Sequence, residues 1–368
     1  MNFKELGINE KLVNVLKGSG ITAPTPIQEE SITLIKEGKD VIAEAQTGTG
    51  KTLAFLLPIF ENISTEANSV QALIVTPTRE LAIQITEEAM QLKQAKDLNI
   101  LAVYGGKDVG SQLKKLNGNI HLIIATPGRL LDHLERKSID LSKLKTLVLD
   151  EADQMLLMGF KNDVENIIKQ ASPKRQTLCF SATLDSNVKK LAYKYMKTPT
   201  EVSVRKEEVT LDNIKQFVVE TTDRGKQNAL CTVLDQDNPF MAIIFCRTKR
   251  RADELEVVLY KRGYDCQKLH GDLIQSKRER IMKAFRKADF QYLIATDVAA
   301  RGLDISGVSP IYNYDIPETA EAYIHRIGRT GRAGDEGYTC LFTDPKDLRT
   351  LDEIERAIKM KLPRRSIL

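Results

Sequence analysis

Short apolar runs alternate with amphipathic helical stretches along the whole chain, and this alternation limits the possible folds more than any other feature. The runs are Val41–Ala45, Ala72–Thr76, Ile100–Tyr104, Leu122–Thr126, Thr146–Asp150, Thr177–Ser181, Lys215–Glu220, Met241–Cys246, Cys266–His270, Gln291–Thr296, Pro310–Asp315 and Tyr338–Phe342. Most are apolar on both faces, as strands of a helix-covered parallel sheet are. Helical patterns such as Arg79–Leu92 and Ala252–Arg262 lie between them. The sequence therefore predicts an α/β protein.

The length of the chain indicates two domains. It has 368 residues, and domains average about 150 residues. The stretch Arg205–Asp212 is polar, follows the strand-like Glu201–Val204 and precedes a new strand. A short charged stretch suits two domains that move relative to each other. We therefore predict a first domain over residues 1–204, a flexible linker over 205–212 and a second domain over 213–368.

Composition excludes several classes of protein. Hydrophobic residues make up 42% and charged residues 28%, as in soluble globular proteins. No apolar run approaches the roughly 20 residues of a membrane helix. The N-terminus lacks the pattern of a secretory signal, so we expect a cytoplasmic protein. The five cysteines have no C-x-x-C spacing and the four histidines are scattered. If the protein uses a metal, carboxylates should therefore hold it, which favours Mg²⁺.

A glycine-rich segment joins the first predicted strand to a helix. Val41–Ala45 runs into Gln46-Thr-Gly-Thr-Gly-Lys-Thr52, and a helical pattern begins at Leu53. Such a turn directs backbone N–H groups at a phosphate, and the helix N-terminus adds partial positive charge. Lys51 can reach the terminal phosphates of a nucleotide, and the Thr52 hydroxyl can ligate Mg²⁺. The alternative, a turn that is merely rich in glycine, explains neither the strand before nor the helix after it.

Two neighbouring carboxylates follow another predicted strand. Thr146–Asp150 ends in Asp150-Glu151-Ala152-Asp153. The carboxyl ends of parallel strands lie where α/β sheets bind ligands. Asp150 is placed to hold Mg²⁺, and Glu151 to take a proton from an attacking water. An acidic helix N-terminus is the alternative, and the phosphate loop in the same domain argues against it.

The second half of the chain supplies arginines. The segment His325-Arg-Ile-Gly-Arg-Thr-Gly-Arg332 spaces Arg326, Arg329 and Arg332 by three residues among glycines. Such a segment can present guanidinium groups to a γ-phosphate from a separate domain.

Eleven motifs, in this order, resemble the DEAD-box family of ATP-dependent RNA helicases of superfamily 2, in its minimal bacterial-type core form. The first half carries Pro24–Gln28, Ala45–Thr52, Pro77–Ala82, Gly105-Gly106, Thr126–Arg129, Asp150–Asp153 and Ser181–Thr183. The second half carries Phe245–Thr248, Gln275–Arg278, Ala295–Asp304 and His325–Arg332. The resemblance covers nearly the whole chain and implies two tandem RecA-like domains, each a mostly parallel sheet with helices on both faces.

The resemblance also implies roles for individual residues in binding ATP. Gln28 would read adenine and Phe3 would support that site, while Asp304 would approach the ribose. The family usually has an aromatic residue where Ile21 stands, so base stacking is expected to be weaker. Catalysis would fall to Glu151, Asp150, Lys51, Arg329 and Arg332, with Arg326 structural. The phosphate loop would comprise Gln46, Thr47, Gly48, Thr49, Gly50, Lys51 and Thr52, and the metal ligands would be Thr52 and Asp150.

For RNA, the resemblance implies a site that reads the sugar-phosphate backbone. Hydroxyls, main-chain N–H groups and guanidinium groups suit phosphate and ribose contacts, with little sequence specificity. Ser181 and Thr183 would couple hydrolysis to strand separation. The implied RNA contacts are Thr78, Arg79, Gly106, Thr126, Gly128 and Arg129 in the first domain, and Arg247, Arg278, Thr296 and Gly302 in the second.

The implied activity is local unwinding of short RNA duplexes, and remodelling of RNA or RNA–protein complexes, coupled to RNA-stimulated ATP hydrolysis. The same residues would also serve an ATP-dependent RNA clamp or scaffold that rarely unwinds, and the sequence does not separate the two. A DNA helicase of the same superfamily is a third interpretation, against which Asp150–Asp153 together with Gln28 argue.

Overall fold

Two parallel sheets organise the protein, one in each half of the chain. The computed structural model describes residues 1–46, 48–106, 119–204, 214–300, 308–328, 330 and 337–367. The chain divides into two compact units, Met1–Lys206 and Glu207–Leu368, called here the first and second unit. The predicted linker, 205–212, lies outside the described residues.

The first unit contains a seven-stranded sheet in the order β3-β4-β2-β5-β6-β1-β7. All its paired strands are parallel. Its strands are β1 (Val41–Glu44), β2 (Ala72–Val75), β3 (Ile100–Val103), β4 (Leu122–Ala125), β5 (Thr146–Leu149), β6 (Gln176–Ser181) and β7 (Thr200–Ser203). Its helices are α1 (Glu10–Gly18), α2 (Pro26–Lys36), α3 (Lys51–Asn62), α4 (Arg79–Leu92), α5 (Pro127–Glu135), α6 (Ala152–Leu157), α7 (Lys161–Gln170) and α8 (Ser186–Tyr195).

The second unit contains a six-stranded parallel sheet in the order β10-β11-β9-β12-β13-β8. Its strands are β8 (Ile214–Glu220), β9 (Ala242–Cys246), β10 (Cys266–Leu269), β11 (Tyr292–Thr296), β12 (Ile311–Asn313) and β13 (Gly337–Thr343). Its helices are α9 (Lys226–Asp237), α10 (Lys249–Lys261), α11 (Gln275–Arg286), α12 (Asp297–Ala300), α13 (Ala320–Ile327) and α14 (Leu348–Ala357), with a 3₁₀ turn over Pro345–Asp347.

Both faces of the first sheet are covered, as the doubly apolar runs predict. Along β1, Val41 and Ala43 join one hydrophobic cluster, whereas Ile42 joins the cluster on the other face. Alternate residues of a strand point to opposite faces, so each strand contributes to two cores. The predicted α/β class is confirmed. No helix in the described ranges is long and apolar enough to cross a membrane.

Candidate ATP and RNA sites

The strand order gathers the predicted ATP motifs at one part of the first sheet. The phosphate loop follows β1, Asp150 follows β5, and Ser181 ends β6. These three strands are neighbours in the sheet, in the order β5-β6-β1. Because all run parallel, their carboxyl ends meet at one edge, where α/β proteins bind ligands.

The phosphate loop reaches the start of α3 through residues with left-handed backbone. Gly48 has φ 81° and Gly50 has φ 89°, a region that glycine enters without steric cost. The Thr49 hydroxyl donates a hydrogen bond to the carbonyl of Gln46 at 2.7 Å. Gly50 is the N-cap of α3, so Lys51 and the half-buried Thr52 occupy its first turn. Thr47 lies outside the described residues.

Lys51 and Asp150 are both buried at this edge of the first sheet. Lys51 is only 6% exposed, and its Nζ has no hydrogen-bond partner among the described residues. Asp150 is also buried, and this burial raises the pKa of its carboxyl, although the charge of Lys51 partly opposes the rise. A buried ammonium group without a hydrogen-bond partner is costly. An anionic ligand would remove that cost, so the site fits a phosphate.

Glu151 has an unusual backbone conformation for its residue type. It is buried, it is the N-cap of α6, and its φ of 51° and ψ of 51° are left-handed. That conformation costs a non-glycine residue about 1–2 kcal/mol. The backbone N–H of Glu151 donates to Oδ1 of Asp150 at 3.0 Å. Strain of this kind persists where the surrounding structure imposes it, and it concentrates at functional sites.

Ser181 connects three of the predicted motifs. Its hydroxyl accepts a hydrogen bond from the backbone N–H of Asp153 at 3.2 Å and donates one to the carbonyl of Thr183 at 2.7 Å. Its carbonyl accepts from the backbone N–H of Ala45 at 2.9 Å. A displacement of Ser181 would therefore act on the phosphate-loop strand and on the Asp150–Asp153 segment together.

Gln28 contacts the phosphate loop directly. Its Nε2 donates to the carbonyl of Gly50 at 2.9 Å, and its Oε1 accepts from the backbone N–H of Thr25 at 3.0 Å. A primary amide has two N–H donors and two acceptor lone pairs, so one of each remains for an adenine edge. Phe3 is 2% exposed and packs in the same hydrophobic cluster as Ile27. It can therefore support α2 from the core, and Ile21 is half-buried against that cluster.

The predicted RNA residues of the first unit follow three other adjacent strands, β3, β4 and β2. Thr78 is the N-cap of α4, and its hydroxyl accepts from the backbone N–H of Leu81 at 3.3 Å. Arg79 lies against Gly105: a Cβ at Gly105 would be 2.8 Å from Nη2 of the arginine. Gly106 is exposed with φ 87°.

The Thr126–Arg129 motif begins a helix beside these residues. Thr126 is the half-buried N-cap of α5, and no hydrogen bond from the helix reaches its side chain. Gly128 is exposed, and a Cβ there would have no neighbour within 4 Å. Arg129 forms an ion pair with Asp132 at 3.5 Å. This helix N-terminus therefore offers backbone groups and a cation to an anionic ligand.

The predicted RNA residues of the second unit follow β9, β11 and β10, which are also neighbours. Arg247 follows β9 and its side chain is 43% exposed. Thr296 ends β11 and is buried, and Arg278 is buried in the first turn of α11. Gly302, Asp304, Arg329 and Arg332 lie outside the described residues.

Arg326 is structural, as predicted. Its guanidinium donates to both oxygens of Asp297, at 2.6 and 2.7 Å, to Oδ1 of Asn313 at 3.0 Å and to the carbonyl of Asp315 at 2.8 Å. These bonds use most of the N–H donors of the guanidinium group, so few remain for a ligand.

Sequence reasoning missed the residues that hold Arg247. Its Nη2 donates to the carbonyl of Ile316 at 3.2 Å and lies 3.7 Å from Oδ1 of Asp347. The other oxygen of Asp347 pairs with the buried Lys226 at 3.1 Å. Lys226 and Asp347 are 121 positions apart, so no local pattern could have indicated the pair.

Comparison with known proteins places both units in described families. Residues 25–191 match the family described as DEAD/DEAH box helicase, and residues 225–334 match the helicase conserved C-terminal domain. The chain is 48% identical over 362 residues to ATP-dependent RNA helicase CshA of Limosilactobacillus reuteri, covering 98% of this chain and 73% of that protein. It is 47% identical over 360 residues to CshA of Listeria monocytogenes, covering 98% and 69%.

Solved structures agree with these families. Dbp5 of S. cerevisiae bound to RNA and ADP BeF3 superposes with a TM-score of 0.90 at 32% identity, covering 99% of this chain and 95% of that chain. Mss116p bound to ssRNA and AMP-PNP superposes with a TM-score of 0.88 at 33% identity, covering 99% and 78%. The tandem RecA-like fold predicted from the motifs is confirmed.

Proposed function

This chain belongs to the DEAD-box family of ATP-dependent RNA helicases, and we propose that its own residues perform the family's reaction in the roles set out below. As a member it is an RNA-dependent ATPase that unwinds or remodels RNA. The observation that carries the assignment of roles is the buried ammonium group of Lys51, which lacks a hydrogen-bond partner among the described residues, beside the buried Asp150. A phosphate group satisfies such a lysine, and a nucleotide supplies one.

The phosphate loop binds the nucleotide. Lys51 contacts the terminal phosphates, and the backbone N–H groups of the loop and of the first turn of α3 point at the others. Gln28 uses its remaining donor and acceptor to distinguish adenine from guanine. Asp304 reaches the ribose, and Phe3 keeps α2 in position from the core.

Mg²⁺ fits the residues at this site. Thr52 and Asp150 offer hard oxygen donors, and the described residues contain no cluster of three metal-binding side chains. Mg²⁺ usually binds through one or two protein oxygens plus phosphates and water, and these two residues can supply such oxygens. The ion would neutralise phosphate charge. A nearby cation also favours the ionised form of the buried Asp150.

Glu151 orients the attacking water and accepts its proton. It lies beside Asp150 at the end of β5 and has a left-handed backbone, of the strained kind that concentrates at functional sites. Arg329 and Arg332 stabilise the charge that develops on the γ-phosphate. Ser181 and Thr183 transmit the state of this site, because Ser181 is bonded to the Asp150–Asp153 segment and to the phosphate-loop strand.

Single-stranded RNA binds through its backbone along the ends of β3, β4 and β2 in the first unit and of β9, β11 and β10 in the second. We further propose that residues 205–212 link the two units flexibly, with the domains at 1–204 and 213–368. ATP and RNA together close the units, one RNA strand bends, and its partner is released from a short duplex. The reaction takes place in the cytoplasm.

A strand-release assay tests this proposal. We expect ATP-dependent release of a labelled strand from a short RNA duplex and phosphate release that RNA stimulates more than DNA. Lys51→Ala should abolish both activities, whereas Lys39→Ala should leave them unchanged, because Lys39 is exposed and paired with Glu37. RNA-stimulated hydrolysis without strand release would contradict unwinding and favour a clamp. Equal stimulation by DNA would contradict the RNA assignment.

A further inference from the structure

Among the helices that the structure describes, α11 carries the largest net positive charge. Its 12 residues include five basic side chains and one acidic side chain, a formal charge of +4. The whole chain of 368 residues has a formal net charge of +4. One helix in the second unit therefore holds as much net charge as the complete protein.

The charges on α11 form a stripe on its outer face. Ile281, Met282 and Phe285 face the core, whereas Arg280, Lys283 and Lys287 are exposed. The spacing i, i+3, i+7 places these three side chains along one line on a helix. We call Arg280, Lys283 and Lys287 the α11 basic stripe. Lys277 and Arg286 are also exposed and lie on either side of it.

The α11 basic stripe has no acidic partner in the part of the chain that the structure describes. The one carboxylate of the helix, Glu279, accepts a hydrogen bond from Nε2 of Gln275 at 3.2 Å. On α10 the corresponding cations are paired: Lys249 with Asp272 at 2.6 Å, Arg250 with Glu254 at 2.8 Å and Arg251 with Asp315 at 2.9 Å. Exposed cations that are aligned and lack carboxylate partners create a local positive potential, which attracts polyanions.

We propose that the α11 basic stripe is an additional contact surface for the RNA backbone, which binds phosphates of RNA that extends beyond the core site. This inference rests on the proposed function, because Arg278 in the first turn of the same helix is a proposed RNA contact. Arg278 belongs to the buried face of the helix, and at about 100° per residue Arg280 lies on the opposite, outer face. RNA that contacts Arg278 must therefore pass around the helix to reach the stripe, which extends for about 10 Å along the axis. That length corresponds to about three phosphates of one strand.

The chemistry of the helix favours RNA over other polyanionic surfaces. A helix that binds a membrane surface exposes apolar side chains on the face that enters the lipid. The large apolar residues of α11 instead pack in the core, and the stripe itself is wholly cationic. Lys283 and Arg286 also lie in the last turn, where cations stabilise a helix by interacting with its dipole. Arg280 lies nearer the N-terminus, where that interaction does not favour a cation.

A triple substitution, Arg280→Gln, Lys283→Gln and Lys287→Gln, removes the charge of the stripe and keeps strong helix formers. The matched control, Lys189→Gln, Lys190→Gln and Lys194→Gln, removes the same charge from α8 in the first unit. There, Lys189 and Lys194 pair with Glu201 and Glu165. The RNA probes are an oligonucleotide just long enough to fill the core site and the same oligonucleotide extended at both ends, each with a non-hydrolysable ATP analogue.

We expect the stripe variant to bind the extended RNA more weakly and to lose about 2 units of the slope of log K against log salt, as for three lost phosphate contacts on a single strand. Binding of the short RNA and its maximal stimulation of the ATPase should stay within the range of the control variant. Arg280→Gln alone should lower the slope by about 0.7 units. This single variant keeps the cations of the last turn, so their interaction with the helix dipole is retained.

Two results would overturn the inference. They are an extended-RNA slope equal to that of the control variant, and an equal loss of binding on short and extended RNA. A wild-type protein that binds neither RNA would instead contradict the proposed function itself. Thermal unfolding of the variants separates a role in RNA binding from a role in helix stability. If the stripe only stabilised the helix, its removal would lower the melting temperature and leave the salt slope unchanged.

Discussion

At the end of β5, two adjacent carboxylates differ in their surroundings, and we assign them different tasks. Asp150 is buried at the end of the apolar strand β5, close to Lys51, and its burial raises the pKa of its carboxyl. Glu151 is the buried N-cap of α6 and has a left-handed backbone. One residue is therefore suited to hold a cation, and the other to take a proton from water.

Glu151→Gln should slow ATP hydrolysis strongly and preserve the binding of ATP and RNA. Glutamine keeps the size and hydrogen-bonding reach of the side chain but is not a base. Loss of a general base typically costs a factor of about 10²–10⁴ in rate. Single-turnover hydrolysis with saturating RNA measures the effect, and a near-normal rate would contradict the assignment of Glu151 as the base.

Asp150→Asn should make the nucleotide-free protein more stable at neutral pH while abolishing hydrolysis. Burial raises the pKa of Asp150 in the folded state, so folding favours the protonated form. The stability supplied by that proton is present at low pH and is lost as the pH rises through the folded pKa. Asparagine has no charge to bury, so we expect a gain of about 0.5–2 kcal/mol in the free energy of unfolding at neutral pH.

The pH dependence provides the control for that prediction. The advantage of Asp150→Asn should shrink as the pH falls toward the ordinary range of aspartate. Asp140→Asn should do the opposite, because hydrogen bonds from Ser142, the backbone N–H first, lower the pKa of Asp140. That contribution is present above the unfolded pKa and is lost on acidification. Denaturant unfolding at several pH values measures both, and equal pH profiles for the two variants would contradict this account.

Gln28→Ala and Gln28→Glu should separate adenine recognition from support of α2. Glutamate keeps the acceptor for the N–H of Thr25 but cannot donate to Gly50 or to adenine. Both variants should therefore lose the preference for ATP over GTP. Only alanine should also lose the hydrogen bond at the start of α2, worth about 1 kcal/mol of stability. Competition binding with ATP and GTP provides the measurement, and an unchanged preference in both variants would remove Gln28 from the base site.

At the scale of elements, strand order separates the two sites of the first unit. The ATP motifs follow β5, β6 and β1, and the RNA motifs follow β3, β4 and β2. The strands β2 and β5 are neighbours, so the two groups adjoin. Coupling between them therefore needs only short chains of bonded groups. The backbone N–H of Asp150 provides one link, because it donates to the carbonyl of Val75 at the end of β2 at 2.9 Å.

Gly105→Ala should weaken RNA binding without affecting ATP binding. A Cβ at this position would lie 2.8 Å from Nη2 and 3.2 Å from Cζ of Arg79, so the guanidinium must move. Loss of one charge-assisted contact of about 1.4 kcal/mol corresponds to a tenfold loss of affinity. Gly18→Ala is the matched control, since a Cβ there would have no neighbour within 4 Å. If Gly105→Ala weakens binding equally in an Arg79→Ala background, the contact is not responsible.

The sequence predicted the elements well because their signals are local. The helix Arg79–Leu92 occurs as predicted, with Thr78 as its N-cap, and the observed strand boundaries lie within one or two residues at most positions. The strand predicted over Pro310–Asp315 is shorter in the structure, where it spans Ile311–Asn313. What the sequence could not predict depends on tertiary packing: the bond from Gln28 to Gly50, the left-handed Glu151, and the Lys226–Asp347 pair that holds Arg247.

At the scale of the whole molecule, the proposed function assigns catalytic residues to both halves of the chain. Lys51 and Glu151 belong to the first, and Arg329 and Arg332, which lie outside the described residues, belong to the second. A ligand shifts a conformational equilibrium only by its difference in affinity for the two states. ATP and RNA should therefore bind cooperatively, and each should tighten the other by the same factor.

Energy transfer between dyes on the two units tests this claim most directly. All five native cysteines are buried, and burial raises the pKa of Cys179 and Cys340 to about 12. Cysteines introduced at the exposed Lys190 and Lys261 should therefore react selectively. We predict low transfer without ligands and with an ATP analogue alone, high transfer with the analogue plus RNA, and a weaker response in Arg329→Ala. Transfer that is already high in the unliganded protein and does not change when both ligands are added would contradict the account.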